Sequence, residues 1–203
     1  MKKFDIAIIG GGIIGLATAM RLAEGFTDRK VIVLEKEDNV ALHQTGHNSG
    51  VIHAGLYYRP GSQKASFCVD GARNMREFCD EHNIKYDLVG KVVVATTEEE
   101  IPRLENLFER GTANGVEGLT MIGPERLKEI EPHASGVQAI HSPNTGIVDY
   151  IQVSQAYATE YQEAGGDLFT NSEVVKSYSI PSESINGTIL DKVNSVISRA
   201  PAK

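Results

Sequence analysis

The chain has 203 residues, of which 41% are hydrophobic and 23% charged, and its formal net charge is −7. This composition is typical of a globular protein with a sizeable core, and the negative charge argues against an electrostatic nucleic-acid surface. The sequence has no apolar run long enough to span a bilayer. Met1–Lys3 leads straight into the first predicted strand, so we expect an intracellular protein without a targeting peptide.

A glycine-rich turn follows that first strand. Phe4–Ile9 is short and apolar, which predicts a buried parallel strand. The next six residues fit G-x-G-x-x-G, with glycine at positions 10, 12 and 15. In this fingerprint Gly10 permits the tight turn, Gly12 lets a pyrophosphate approach bare backbone, and Gly15 lets the following helix pack closely on the sheet. The N-terminus of that helix is suited to a phosphate.

A second strand and an acid complete the pattern. Val31–Leu34 predicts the strand, and Glu35 ends it twenty residues after Gly15, where a carboxylate can accept bonds from an adenosine ribose. The competing interpretation is an ordinary βαβ turn. The spacing of the strand, the helix and the acid matches the dinucleotide-binding pattern and favours a nucleotide site. Glu35 should repel a 2′-phosphate, which argues against NADP. The fingerprint by itself suits both FAD and NAD.

The stretch from His43 to Gly61 is the most unusual part of the chain. It holds three histidines and four glycines without amphipathic periodicity, which predicts an irregular functional loop. The histidines lack a cysteine or carboxylate partner at ligand spacing, so we predict no metal site. Polar and glycine residues in or just before this loop are candidates for cofactor contacts: Lys36, Gln44, Thr45, Asn48, Ser49 and Gly50.

The remaining chain predicts alternating helices and strands. Helices are predicted at 63–82, 98–114, a short segment after Pro124, and from Asp149 to the glycine pair 165–166; strands are predicted at 86–96, 137–140, 168–170 and 173–178. Cys68 and Cys79 lie eleven residues apart on one helix, too far to pair, and are expected to be reduced and buried.

The order of these elements predicts how the chain divides. The last helix and strand can return to the first sheet, which would make residues 85–146 an insertion. We therefore predict an α/β fold: a Rossmann-like dinucleotide-binding domain at 1–84 and 147–178, and an inserted α+β segment at 85–146 belonging to a substrate domain. Residues 179–203 are rich in Ser, Asn and Pro and form a divergent tail in which we see no chemistry.

Several segments resemble one flavoenzyme family. The start of the chain resembles the FAD-binding start of the D-amino-acid-oxidase-like flavoenzymes, and the histidine-rich block is similar to the L-2-hydroxyglutarate dehydrogenase family, also called oxidase. The resemblance extends from about residue 4 to residue 178, and its segments are Ile8–Gly15, Leu34–Lys36, His43–Gly55, Tyr57–Tyr58, Pro60–Ser62, Thr145–Tyr150 and Glu163–Gly166.

The resemblance implies oxidation of L-2-hydroxyglutarate to 2-oxoglutarate, with FAD as cofactor and a membrane quinone or another acceptor for the electrons. It also implies a mitochondrial or peripheral inner-membrane location. The family is about twice as long as this chain, and residues 179–203 do not resemble what should follow, so the resemblance implies a fragment, a truncated isoform or a shifted reading frame. Two alternatives remain open: an NAD-dependent dehydrogenase, and a non-catalytic nucleotide-binding fragment.

The proposed oxidation needs a base for the hydroxyl proton while hydride leaves for the flavin. Histidine suits this role because its ordinary pKa lies near neutral pH. His53, flanked by small residues, is the first choice and His47 the second. Tyr57, Arg59 and Lys64 are candidates for binding a substrate carboxylate.

Overall fold

The computed structural model describes residues 3–178. Two 3-10 turns lie at Gln44–Gly46 and Glu98–Glu100. The other elements, in chain order, are β1 (Ile6–Ile9), α1 (Ile13–Gly25), β2 (Val31–Leu34), β3 (Val51–Ile52), α2 (Gln63–Glu81), β4 (Tyr86–Asp87), β5 (Lys91–Ala95), α3 (Ile101–Ala113), β6 (Thr120–Ile122), α4 (Pro124–Ile130), β7 (Gln138–Ser142), β8 (Gly146–Val148), α5 (Tyr150–Glu163) and β9 (Asp167–Phe169).

The chain forms two compact units. Among the described residues, the first unit contains 3–48 and 150–178, and the second is Ser49–Asp149. The mixed α/β class predicted from the sequence is confirmed. The predicted assignment of 1–84 and 147–178 to a cofactor domain and of 85–146 to a substrate domain stays a prediction. The predicted tail, 179–203, lies outside the described residues.

A parallel three-stranded sheet, in the order β1-β2-β9, organises the first unit. All four residues of the central strand β2 are buried, as expected for a short apolar strand with neighbours on both sides. On α1 the buried face is Leu16, Ala19, Met20 and Ala23. The sequence interpretation chose Ile13 and Ala17 together with Met20, but these two are only half-buried because the helix presents its 16, 19, 20, 23 stripe inward.

Helix α5 returns the chain to this sheet, as predicted. Its Tyr161 is fully buried, and the hydroxyl lies 2.8 Å from the carbonyl oxygen of Val31 and 3.1 Å from that of Asp167. A β-carbon at Gly166 would overlap the tyrosine ring, so only glycine leaves room for it. Burial raises the pKa of Tyr161 to about 12. One side chain thus joins α5 to the first residue of β2 and the first residue of β9.

The second unit contains two antiparallel three-stranded sheets, ordered β3-β8-β4 and β5-β7-β6. Ala95, Leu104 and Ile140 form a core cluster between the β5-β7-β6 sheet and α3. The single strand predicted at 86–96 is two strands, interrupted where Gly90 adopts a positive φ of 71°. The short strands β3, β6 and β8 were not predicted, since two or three residues carry too little periodicity to recognise.

Two further predictions need correction. Residues 173–178 were predicted to form a strand, but within the described part of the chain they belong to no sheet. Cys79 is fully buried as expected, whereas Cys68 is only half-buried; both thiols are free.

Among the described helices, none combines the length and apolarity needed to cross a bilayer.

Candidate functional site

The glycine turn has the geometry that its sequence predicts. Gly10 adopts a φ of 106°, a conformation that residues with a β-carbon rarely adopt, and its N–H donates to the carbonyl of Leu34 at 2.8 Å. A β-carbon at Gly15 would overlap the carbonyl oxygen of Gly10. The third glycine of the fingerprint therefore serves the close approach of α1 to the turn itself, in addition to the packing of α1 on the sheet.

Gly12 is the N-cap residue of α1; it has extended backbone angles and, as a glycine, offers no side chain to cap the helix. The loop after β2 supplies a substitute: the N–H of Ile13 donates to Oγ1 of Thr45 at 3.1 Å. This contact places a hydroxyl group at the positive end of the helix. A hydroxyl that accepts one backbone N–H can still donate its own proton to an anion bound there.

Glu35 is tied to the same turn. Its Oε2 accepts the N–H of Gly11 at 2.6 Å, and its Oε1 accepts the N–H of Glu37 at 2.9 Å. A β-carbon on Gly11 would lie 3.1 Å from the β-carbon of Glu35. Gly11, which occupies a variable position of the fingerprint, therefore also allows close packing. A carboxylate can accept about four hydrogen bonds, and these two leave capacity for ribose hydroxyls.

A cavity of about 400 Å³ lies at the carboxyl edge of the parallel sheet. All of its lining residues belong to the first unit: Ile9, Gly10, Gly12, Leu34, Glu35, Lys36, Ala41, Leu42, His43, Gln44, Thr45, Ser172, Glu173 and Val174. The cavity therefore brings together six of the predicted cofactor residues, namely Gly10, Gly12, Glu35, Lys36, Gln44 and Thr45. It is large enough for one half of a dinucleotide.

Sequence reasoning missed the segment from Ser172 to Val174. It enters the cavity because the N–H of Ser172 donates to the carbonyl of Glu35 at 2.8 Å and the N–H of Asn171 donates to that of Glu37 at 2.7 Å. The sequence did contain a signal for this segment, because the strand that precedes it, β9, was expected to return to the first sheet. Carboxyl ends of neighbouring parallel strands meet at one edge, where ligands bind.

The turn at Gln44–Gly46 is held by the two residues that follow it. Nδ1 of His47 lies 2.8 Å from the carbonyl oxygen of His43, and the Asn48 amide donates to the carbonyl of Thr45. The structure thus gives Asn48 a role in shaping the loop that presents Thr45. Ser49 and Gly50 belong to the second unit, where the N–H of Val148 donates to the carbonyl of Gly50 at 2.8 Å.

The other predicted catalytic and substrate residues lie in the second unit. His53 follows β3, its side chain is exposed, and its carbonyl accepts the Cys68 thiol at 3.2 Å. The Tyr57 hydroxyl accepts a hydrogen bond from Lys91 at 3.1 Å. Arg59 and Lys64 are exposed. Over residues 3–178, no three His, Cys, Asp or Glu side chains come together to hold a metal ion.

Comparison with known proteins gives a family match over residues 5–191, to the DAO model described as FAD dependent oxidoreductase. A relative from Nematostella vectensis named "L-2-hydroxyglutarate dehydrogenase, mitochondrial" is 54% identical over 173 residues, which are 85% of this chain and 38% of the relative. A Homo sapiens protein of the same name is 51% identical over 189 residues, covering 92% of this chain and 41% of the relative.

Among solved structures, the L-alpha-glycerophosphate oxidase of Mycoplasma pneumoniae with FAD bound superposes with a TM-score of 0.78 and 28% identity. The match covers 87% of this chain and 47% of that one. The chain thus spans about two fifths of the length of the curated relatives that it matches.

Proposed function

Because this chain belongs to the DAO family of FAD-dependent oxidoreductases, we propose that it is part of an enzyme that oxidises L-2-hydroxyglutarate to 2-oxoglutarate. The observation that carries this proposal is the identity of 54% and 51% with proteins named L-2-hydroxyglutarate dehydrogenase, over 85% and 92% of the chain.

The residues of the first unit fit the adenosine diphosphate half of FAD. The bare backbone of Gly10 and Gly12 and the helix N-terminus suit a pyrophosphate, the Thr45 hydroxyl can donate to it, and Glu35 retains capacity for ribose hydroxyls. Bound FAD would supply a two-electron acceptor for a hydride from the substrate. The predicted contacts of Lys36, Gln44, Asn48, Ser49 and Gly50 stay part of this proposal.

A histidine base is the second part of the proposal. His53 remains the first candidate, since its exposed ring is available to substrate. For His47 the contact with the His43 carbonyl has a chemical consequence. A carbonyl can only accept, so Nδ1 of His47 carries the proton and Nε2 is left as the basic nitrogen. In this tautomer Nε2 can accept the hydroxyl proton, so His47 stays the second candidate.

The substrate and acceptor complete the proposal. Tyr57, Arg59 and Lys64 are proposed to meet the substrate carboxylates, and a membrane quinone or another acceptor to receive the electrons. The relatives from Nematostella vectensis and Homo sapiens are named mitochondrial, which supports a mitochondrial or peripheral inner-membrane location. A second candidate is nucleotide binding without turnover, which the cavity beside the glycine turn supports by itself. The nicotinamide alternative is disfavoured because the matched family is FAD-dependent.

The proposal is tested by recording the visible spectrum of the purified chain after incubation with FAD and gel filtration. We expect a retained flavin band that bleaches when L-2-hydroxyglutarate is added. In a second assay, the FAD-loaded chain should reduce a redox dye when the same substrate is present. The D enantiomer is the control. A retained band without bleaching would support nucleotide binding alone, and the absence of any retained flavin would refute both candidates.

The two histidines are separated by His53→Ala and His47→Ala, with flavin content measured for each. Loss of a general base is expected to lower kcat by about 10²–10⁴-fold while the flavin stays bound. A His53→Ala variant that keeps turnover within a few-fold of wild type would remove His53 from this role. The same result for His47→Ala would exclude that residue.

A further inference from the structure

Lys91 is a half-buried cation that the sequence analysis did not single out. It is the first residue of β5, and its Nζ donates to the Tyr57 hydroxyl at 3.1 Å. The same nitrogen lies 4.4 Å from the centroid of the Tyr57 ring. A lysine that both contacts a ring face and donates to the hydroxyl of that ring has a defined position rather than a freely rotating one.

Within residues 3–178, the charge of Lys91 has no carboxylate partner. Among residues 3–178, no Asp or Glu lies within 4.0 Å of its ammonium, although the chain has 27 acidic residues against 20 basic ones. Exposed cations elsewhere, such as Arg21 and Arg126, do have such partners. Partial burial of an unpaired ammonium is unfavourable unless an anion joins it.

The neighbouring thiol cannot provide that anion. Cys68 is close enough for the charge of Lys91 to affect it, yet burial dominates and raises the pKa of the thiol above its ordinary value. The thiol is therefore neutral at pH 7, and it donates to the carbonyl of His53 at 3.2 Å. Lys91 thus stands in one cluster with Tyr57, Cys68 and the backbone of His53.

The geometry points to Lys91 and Tyr57 together as a binding site for one carboxylate of a dicarboxylate substrate. We propose this as a specificity-determining role for Lys91, and it rests on the function proposed above. The Tyr57 hydroxyl accepts from Lys91 and so keeps its own O–H to donate. One ammonium N–H and one phenol O–H then face the two oxygens of a carboxylate, a charge-assisted arrangement. A five-carbon diacid needs such a site for each end, whereas a monocarboxylic hydroxy acid needs only one.

The test measures binding of glutarate to the full chain by calorimetry. Glutarate is a five-carbon diacid without a hydroxyl group to oxidise, so flavin chemistry does not enter the result. Lys91→Met is compared with wild type and with Lys85→Met, which removes the same charge from an exposed position of the same unit. We expect Lys91→Met to weaken glutarate binding by about tenfold or more, and Lys85→Met to stay within about twofold of wild type.

Two more variants separate binding from folding. Lys91→Arg keeps the charge and should remain within a few-fold of wild type, and Tyr57→Phe keeps Lys91 but removes the O–H donor, which should weaken binding several-fold. Circular dichroism and thermal melting check that each variant folds. Equal glutarate affinity for wild type and Lys91→Met, equal losses in Lys91→Met and Lys85→Met, or no glutarate binding by wild type would each overturn the assignment.

Turnover distinguishes this assignment from the proposed function. If the chain oxidises L-2-hydroxyglutarate, Lys91→Met should raise KM with a smaller effect on kcat, because the lost contact is made in both ground and transition states. Turnover with an unchanged KM would overturn the role of Lys91 and leave the enzyme assignment standing. Glutarate binding that depends on Lys91, without any turnover, would support the role of Lys91 and count against the enzyme assignment.

Discussion

Replacing Gly15 with alanine tests whether the glycine turn is built as described. The new β-carbon would overlap the carbonyl oxygen of Gly10, a backbone atom that cannot rotate away. Gly71 provides a matched control, since it also lies in a helix, α2, and a β-carbon there meets nothing within 4 Å. Both substitutions gain the same helix propensity, about 1 kcal/mol. Only Gly15→Ala adds overpacking, which costs about 1–3 kcal/mol.

The two variants should therefore differ in free energy of unfolding by about 1–3 kcal/mol, with Gly71→Ala more stable than wild type. Urea denaturation followed by circular dichroism measures this difference. Because α1 must move away from the turn, Gly15→Ala should also bind ADP or FAD about tenfold more weakly, whereas Gly71→Ala should bind as wild type does. If the two variants match in both stability and nucleotide affinity, the close approach of Gly15 to Gly10 is not a determinant of the site.

Three other outcomes follow from the described contacts. Glu35→Gln should weaken ADP binding several-fold, because the neutral amide makes a weaker bond to the Gly11 N–H; unchanged affinity by calorimetry would contradict this. Tyr161 has a pKa raised to about 12, so the native state keeps its proton longer than the unfolded state. The raised pKa of Tyr161 therefore contributes on the order of 2 kcal/mol to the free energy of unfolding. This contribution is complete below pH 10 and is lost between about pH 10 and 12. Urea titrations should show this loss in wild type and not in Tyr161→Phe, whose unfolding free energy should already be about 1–3 kcal/mol lower at pH 7. Since burial raises the pKa of Cys68 and Lys91 opposes that shift, Lys91→Met should slow alkylation of Cys68 by iodoacetamide at pH 8; faster alkylation would contradict the described geometry.

The local parts of the site were predictable because they depend on short-range constraints. The fingerprint glycines and Glu35 are recognisable at fixed spacing, and the structure gives Gly10 the positive φ and Gly15 the close contact that the pattern requires. Helices α2, α3 and α4 agree closely with their predicted ranges, since each has a stop or start signal such as Pro124. Two-residue strands such as β3 carry no such signal and were missed.

The sequence by itself determined the α/β class, the family resemblance and the acid-and-glycine half of the nucleotide site, because strand period, turn chemistry and helix capping are properties of neighbouring residues. Only the tertiary structure decided that Ser172–Val174 line the cavity, that Thr45 substitutes for a cap on α1, and that Lys91 contacts Tyr57. These contacts join residues 32 or more positions apart. Their formation depends on which strands pair and which loops meet, and spacing along the chain does not encode that.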